Sequence, residues 1–147
     1  MSDVSPYLSD LAADVAVRFG AVPNELELHS VGENAVFRLQ TTEGISLCLR
    51  LHRRGGFSVP VRLAELQWLQ ALSEQTQLWI PKPAGAGTSL LSIADPGGRW
   101  ESATLLTWLD GRAPTAPFTA DHQQALGTVL ATLHDHASER PEIQNLA

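Results

Sequence analysis

Leu47-Cys48-Leu49-Arg50-Leu51 sets leucine at every second position, with a thiol and a guanidinium between. That alternation describes a strand with one buried face, and it puts a permanent cation on the other face. Downstream, Val61 to Leu72 reads as a helix. At about 100° per residue, Val61, Glu65, Trp68 and Leu72 fall in one narrow arc with Leu69 beside it. A carboxylate inside an apolar stripe is expected to face the core. An unpaired charge is costly there, and a cation is the usual remedy. Arg50 is the nearest candidate in sequence. The chain is therefore expected to fold so that this strand cation meets this helix carboxylate.

Composition narrows what such a fold can serve. The 147 residues suffice for one domain with a real core, and 44% hydrophobic with 18% charged residues is ordinary for a soluble globular protein. A net charge of -6 argues against broad nucleic-acid binding, which needs a basic footprint. The single cysteine, Cys48, rules out an internal disulfide and a cysteine-based zinc site, and is read as a small core residue. The N-terminus lacks a basic-then-apolar leader pattern, and no apolar run reaches membrane-spanning length. A cytoplasmic protein without nucleic-acid or membrane partners is expected. Internal repeats and low-complexity tracts are absent.

In chain order, Ser5 and Pro6 suit the N-cap and first position of a helix. Leu8, Leu11, Ala12, Val15 and Phe19 make its apolar face, and Gly20 stops it. Glu25 to Val31, Ala35 to Thr41 and Ile45 to His52 alternate as strands joined by short turns at Gly32-Glu33-Asn34 and Thr42-Glu43-Gly44, which makes an antiparallel meander. Ile45, Leu47, Leu49 and Leu51 share one face of the third strand, and Cys48, Arg50 and His52 the other. Ser58 is the expected cap of the helix bearing Glu65, and Ile80-Pro81-Lys82-Pro83 is a rigid extended connection. Thr88 to Ala94 and Trp100 to Leu109 are further strands about the turn Asp95-Pro96-Gly97-Gly98. Asp110 to Pro114 breaks the pattern. Thr119 then caps a helix with an apolar face of Leu126, Val129, Leu130 and Leu133. The expected fold class is α+β: a five-stranded antiparallel sheet with one long helix, preceded by an N-terminal helix and followed by a hinge and one helix. The expected division is an N-terminal helix over 1–22, a sheet unit over 23–109, a hinge over 110–118, and a terminal helix with tail over 119–147.

Several strings, in this order, resemble the aminoglycoside phosphotransferase family, which includes homoserine kinases, choline-kinase-like enzymes and bacterial stress kinases. They are Gly32-Glu33-Asn34-Ala35-Val36-Phe37-Arg38, Leu49-Arg50-Leu51-His52-Arg53, Ala64-Glu65-Leu66-Gln67-Trp68-Leu69, Ile80-Pro81-Lys82-Pro83, Leu106-Thr107-Trp108-Leu109-Asp110-Gly111-Arg112, and Leu126-Gly127 through Leu130-Ala131 to Leu133-His134. No single string is specific; their order and spacing from about Glu25 to His134 are. The resemblance implies a protein-kinase-like N-terminal lobe that binds ATP. Glu33 and Asn34 would lie in its nucleotide loop. Arg50 would hold phosphates and Glu65 would orient Arg50. Leu106 would border the adenine pocket, and the backbone from Thr107 to Leu109 would receive the adenine edge. The complete family enzyme would move the ATP γ-phosphate to a hydroxyl, with Mg2+.

The sequence departs from that pattern in one respect. The family's His-x-Asp catalytic loop, with an Asn five positions beyond the Asp, is missing, as is its later metal-binding Asp. The nearest string, His134-Asp135-His136, has His at the third position. A truncated, inactive nucleotide-binding lobe is therefore expected, with its catalytic residues and Mg2+ ligands in a C-terminal lobe outside this chain. The alternative is a non-catalytic assembly module that forms a homodimer or pairs with a separate C-lobe. The phosphate acceptor stays open.

Each signal also has a plainer account. Arg50 and Glu65 could be a core ion pair with no ligand, and Gly32-Glu33-Asn34 a simple hairpin turn. His134 and His136, two apart on a helix, point about 200° from each other and cannot share a metal; helix-end cations explain them better. His52-Arg53-Arg54 could touch phosphate, but reads more simply as a solvated basic turn. Trp68, Trp79, Trp100 and Trp108 read as core and sheet aromatics.

Overall fold

Strict alternation carries over directly into the sheet. A computed structural model describes residues 6–85, 89–112, 115 and 117–140. Its elements are α1 (Pro6–Arg18), β1 (Pro23–Val31), β2 (Asn34–Thr41), β3 (Ser46–Arg53), α2 (Val59–Gln75), β4 (Leu90–Ser92), β5 (Trp100–Thr107) and α3 (Ala120–Ser138). The strands form one antiparallel sheet in the order β1-β2-β3-β5-β4. Along β2, every second residue is buried.

Those buried residues face α1. Phe37, Leu39, Leu49, Leu51 and Leu105 pack with Ala12, Val15, Ala16 and Phe19 in one core that Trp100 and Ile93 complete. Gly20 ends α1 with φ of 81°, the left-handed backbone that closes a helix at little steric cost. The opposite face carries the chemistry. Strand register lines up Asn34, His52 and Ser102 in one row, Val36, Arg50 and Thr104 in the next, and Arg38, Cys48 and Leu106 in a third.

Several expectations shift. Ile45 lies before β3 with a side chain 51% exposed, so the buried face of that strand begins at Leu47. Cys48 is half-buried, on the face away from α1 and not in the core; desolvation raises its thiol pKa, against the opposing pull of Arg50. Helix α2 starts at Val59, with Pro60 in its first turn, and the side chain of Ser58 makes no capping bond. β4 is only three residues long, although the Ile93 amide still bonds to the Glu101 carbonyl at 2.9 Å. Thr88 and Ser5 lie outside the described residues. The Asp95 turn is built as expected: its carboxylate accepts from the amides of Gly97, Arg99 and Trp100 at 2.7 to 2.9 Å.

Trp100 is core, but Trp79 is 74% exposed and packs in neither core nor sheet. Helix α3 opens with Thr119 and His122 in a reciprocal capping box, both bonds at 3.3 Å. Its apolar residues Leu126, Val129 and Leu130 face outward. Among the described residues, no helix is long and apolar enough to cross a membrane.

Candidate nucleotide site

Helix α2 does not lie on the sheet by the arc its apolar spacing suggests. The residues it buries are Arg62, Leu66, Ala71 and Leu72. Of the expected arc, Leu72 is buried while Val61, Glu65 and Trp68 are half-buried, and Arg62 and Leu66 add a second buried side about 80 to 120° around the helix from Leu72. Polar anchoring explains that second side. Arg62 is only 3% exposed, and its Nη1 sits 3.0 Å from Glu101 Oε1 and donates to Ser102 Oγ at 2.5 Å, while Nη2 donates to the Arg53 carbonyl at 3.3 Å. Glu65 is therefore at the rim of the helix face and not in the core, its side chain 42% exposed. From there it still reaches the sheet: Arg50 Nη2 donates to Glu65 Oε1 at 2.8 Å, with the Arg50 side chain 20% exposed.

The pair opens onto a cavity of about 570 Å³, lined by Glu33, Asn34, Arg50, His52, Arg53, Gly56, Phe57, Arg62 and Glu65. Close approach is built in at Gly56, where a Cβ would meet the Arg53 carbonyl at 3.3 Å and Arg62 Nη2 at 3.4 Å. The lining supplies the guanidiniums of Arg50, Arg53 and Arg62 against the carboxylates of Glu33 and Glu65. Arg50 Nε and Arg53 Nε are out of water with no hydrogen-bond partner among the described atoms. Unmet buried donors on two arginines suit an anion rich in acceptors, such as a phosphate chain.

His52, expected in a solvated turn, is 5% exposed. Its Nδ1 pairs with Asn34 Oδ1 at 2.8 Å and its Nε2 with Thr104 Oγ1 at 3.0 Å. A carboxamide oxygen can only accept, so Nδ1 carries the proton and Thr104 donates to Nε2. Burial, then the charges of Arg62 and Arg50, lower its pKa to about 4, so the ring is neutral. Its neighbours are tied as well. Arg53 Nη2 donates to the Gly32 carbonyl at 2.9 Å, and Arg54 Nε to the Gly98 carbonyl at 2.9 Å. His52 and Arg53 thus end β3, while Arg54 follows in an exposed turn tied to Gly98. The one readable signal in this stretch was that His52 shares a strand face with Arg50. Nothing in the spacing pointed to Arg62.

The structure brings Glu33, Asn34, Arg50 and Glu65 around one cavity and places Leu106, Thr107 and Leu109 outside its lining. Leu106, 3% exposed, sits opposite Cys48, one row along the sheet from Arg50. Thr107 is committed internally: its amide bonds to the Lys82 carbonyl at 2.8 Å and its hydroxyl accepts from the Lys82 amide at 2.9 Å. The Trp108 amide bonds to the Ser46 carbonyl at 3.2 Å. The Trp108 ring is held by Arg38, 5.3 Å above it, and by His29 in a T-shaped contact at 5.2 Å, while Arg38 also pairs with Asp110 at 3.5 Å. This cluster ties the segment after β5 to β1 and β2.

At the far end of α2, the Trp68 indole donates to His136 Nδ1 at 3.0 Å, and His136 Nε2 donates to Gln75 Oε1 at 3.0 Å. This histidine accepts at Nδ1. It is a buried link between α2 and α3 in the last turn of α3. No group of three or more His, Cys, Asp or Glu side chains that could hold a metal exists among the described residues.

Five antiparallel strands, a helix carboxylate paired to a strand arginine and a strand leading into a tethered connection define a kinase-like N-terminal lobe. The sequence matches the phosphotransferase enzyme family over residues 25–145, and the chain belongs to that family. Two solved structures share the fold. The microcompartment-associated aminopropanol kinase is 29% identical, with a TM-score of 0.60 over 76% of this chain and 35% of its own. The amicoumacin kinase hAmiN, in complex with AMP-PNP, Ca2+ and Ami, is 21% identical, with a TM-score of 0.57 over 69% of this chain and 32% of its own. The chain thus spans about a third of each of these structures. No curated protein sequence matches it.

Proposed function

We propose that this chain is the ATP-binding lobe of a phosphotransferase that moves the γ-phosphate of ATP to a hydroxyl of a small molecule or protein. The observation that carries this reading is the Arg50–Glu65 contact at 2.8 Å, open to a cavity lined by three arginines. In this reading Glu65 orients the guanidinium, and Arg50 presents its remaining donors to the phosphates. Arginine's planar fork can hold a carboxylate and a phosphate together. Glu33 and Asn34 border the phosphate chain, and Leu106 the adenine. With the Thr107 amide bonded to Lys82, the purine edge falls to the Thr107 carbonyl and the Leu109 backbone.

The 147 residues contain no His-x-Asp string followed by the family's Asn. We propose that they do not transfer phosphate by themselves, and that the general base and the ligands for Mg2+ come from a second lobe. ATP as donor places the reaction in the cytoplasm. Calorimetric titration with ATP tests the reading: weak binding that is lost in Arg50→Ala is expected. Absence of ATP binding by the wild-type chain would remove it, and phosphate transfer by the purified chain would overturn the inactivity.

A second reading has its own observation. Phe118, Leu126, Val129 and Leu130 are 38 to 53% exposed on and beside α3, an apolar strip that suits assembly with a second copy or a separate C-lobe. Sedimentation at high concentration separates this reading from a monomer.

A further inference from the structure

The turn between β1 and β2 is held by side chains from other strands. Gly32 donates its amide to the Asn34 carbonyl at 2.9 Å, which closes the turn on itself. Two consecutive residues at the end of β3 then grip it from outside. Arg53 Nη2 takes the Gly32 carbonyl at 2.9 Å, and His52 Nδ1 takes Asn34 Oδ1 at 2.8 Å. His52 is itself fixed from β5 by Thr104 at 3.0 Å. Two further strands, β3 directly and β5 through Thr104, thus fix where this turn stands over the cavity that Glu33 and Asn34 line.

The chemistry of the grip has a direction. Asn34 carries one acceptor oxygen and one donor nitrogen on its carboxamide. With the oxygen turned to His52, the carboxamide nitrogen and its two N–H donors are directed away from the ring. The hydrogen of His52 on Nδ1 is what enforces that choice. A turn preset with donors and backed by Arg50 and Arg53 matches a phosphate chain and mismatches a neutral nucleoside.

We propose that His52 and Arg53 are positioning residues that preset the Gly32–Asn34 turn for the phosphates of a nucleotide. This rests on the nucleotide reading of the cavity. Neither residue needs to touch the reacting atoms. The neutral ring that the arrangement requires is the form that burial and the flanking arginines favour.

The test uses the 147-residue chain as wild type, His52→Leu, His52→Gln and Arg53→Met. Titration against ATP, ADP, AMP and adenosine reads the phosphate dependence, and amide hydrogen exchange at Glu33 and Asn34 reads the turn with no nucleotide present. His52→Leu and Arg53→Met are expected to lose about tenfold in ATP affinity, the size of one hydrogen bond, with the loss shrinking from ADP to AMP and absent for adenosine. Exchange at Glu33 and Asn34 is expected to accelerate in both variants. His52→Gln should restore ATP binding, because its amide can donate to Asn34 and accept from Thr104. Equal losses for ATP and adenosine would overturn the proposal, as would unchanged ATP affinity in a folded His52→Leu chain. If the wild type binds no ATP yet exchange still accelerates in the variants, the nucleotide reading fails and the grip is structural only. If the wild type binds ATP and exchange does not change, the grip fails while the nucleotide reading stands.

Discussion

Helix α2 meets the sheet through two arginine–glutamate pairs of opposite character. Arg62 comes from the helix and finds Glu101 on β5; Arg50 comes from β3 and finds Glu65 on the helix. The Arg62 side chain is 4% exposed, and its guanidinium also bonds to Ser102 and the Arg53 carbonyl. The Arg50–Glu65 pair is 20% and 42% exposed, and Arg50 Nε has no partner among the described atoms. A closed pair of the first kind fixes geometry, and its loss strands a buried charge. An open pair of the second kind adds little to stability, because solvent screens it. What it retains is unspent hydrogen-bonding capacity. The closed pair sets the helix so that the open one can face a ligand.

The comparison can be broken most forcefully at Glu101. Glu101→Ala leaves Arg62 buried without its counter-charge and should cost about 3 kcal/mol in urea denaturation. Glu65→Ala should cost under about 1 kcal/mol. Similar losses in both would erase the distinction. At Arg50 the weights reverse. Arg50→Ala should leave the urea midpoint nearly unchanged and lower ATP affinity about 10- to 100-fold, as expected for charge-assisted hydrogen bonds of about 1.5–3 kcal/mol.

His52 lies between the two arginines and supplies a pH test. Its folded pKa of about 4 is below the ordinary 6.5, so as the pH falls below 6.5 the unfolded chain binds a proton that the folded chain refuses. Stability from this residue is therefore complete above 6.5 and lost progressively as the pH falls towards 4. The groups facing the ring are Arg50 on its own strand, Arg62 from α2, Asn34 from β2 and Thr104 from β5. The wild type should lose about 1 kcal/mol more than His52→Gln between neutral pH and about pH 5.5. Parallel pH profiles would show that the ring is not held neutral.

The smallest effect is expected at the opposite end of α2. Trp68→Phe removes the indole donor and leaves His136 Nδ1 unpaired at a residue 8% exposed, for about 1 kcal/mol or less. Faster amide exchange confined to the C-terminal turns of α3 would locate that loss. Spread over β3 and β5, it would instead tie this contact to the site.

Much of this was legible in the chain. Alternation gave β2 and β3 their buried faces, because a period of two leaves a strand no other way to hide Phe37 and Leu49, while β5 is buried on both faces from Ser102 to Leu106. Arg50 and Glu65 were readable as a pair because each was a charge set among apolar residues. Helix orientation was less so. Apolar spacing put Glu65 inside, while the structure leaves it at the rim and buries Arg62 as well as Leu72 of the expected arc, because Arg62 bonds to Glu101 and Ser102 some forty residues away. The exposed strip on α3 has the same periodicity as a buried one, since spacing marks an apolar face and not what covers it.

The sequence by itself determined the strands, the antiparallel order of the meander, the family and the two charges that face each other across α2 and β3. Those follow from local periodicity, turn residues and charges that must find partners. Only the tertiary structure decided that His52, Arg53 and Arg62 belong to the cavity, that the turn at Gly32–Asn34 is gripped from β3, and that the Thr107 amide is already bonded. Side-chain hydrogen bonds between strands depend on where three separate segments converge, and no spacing along the chain encodes that meeting point.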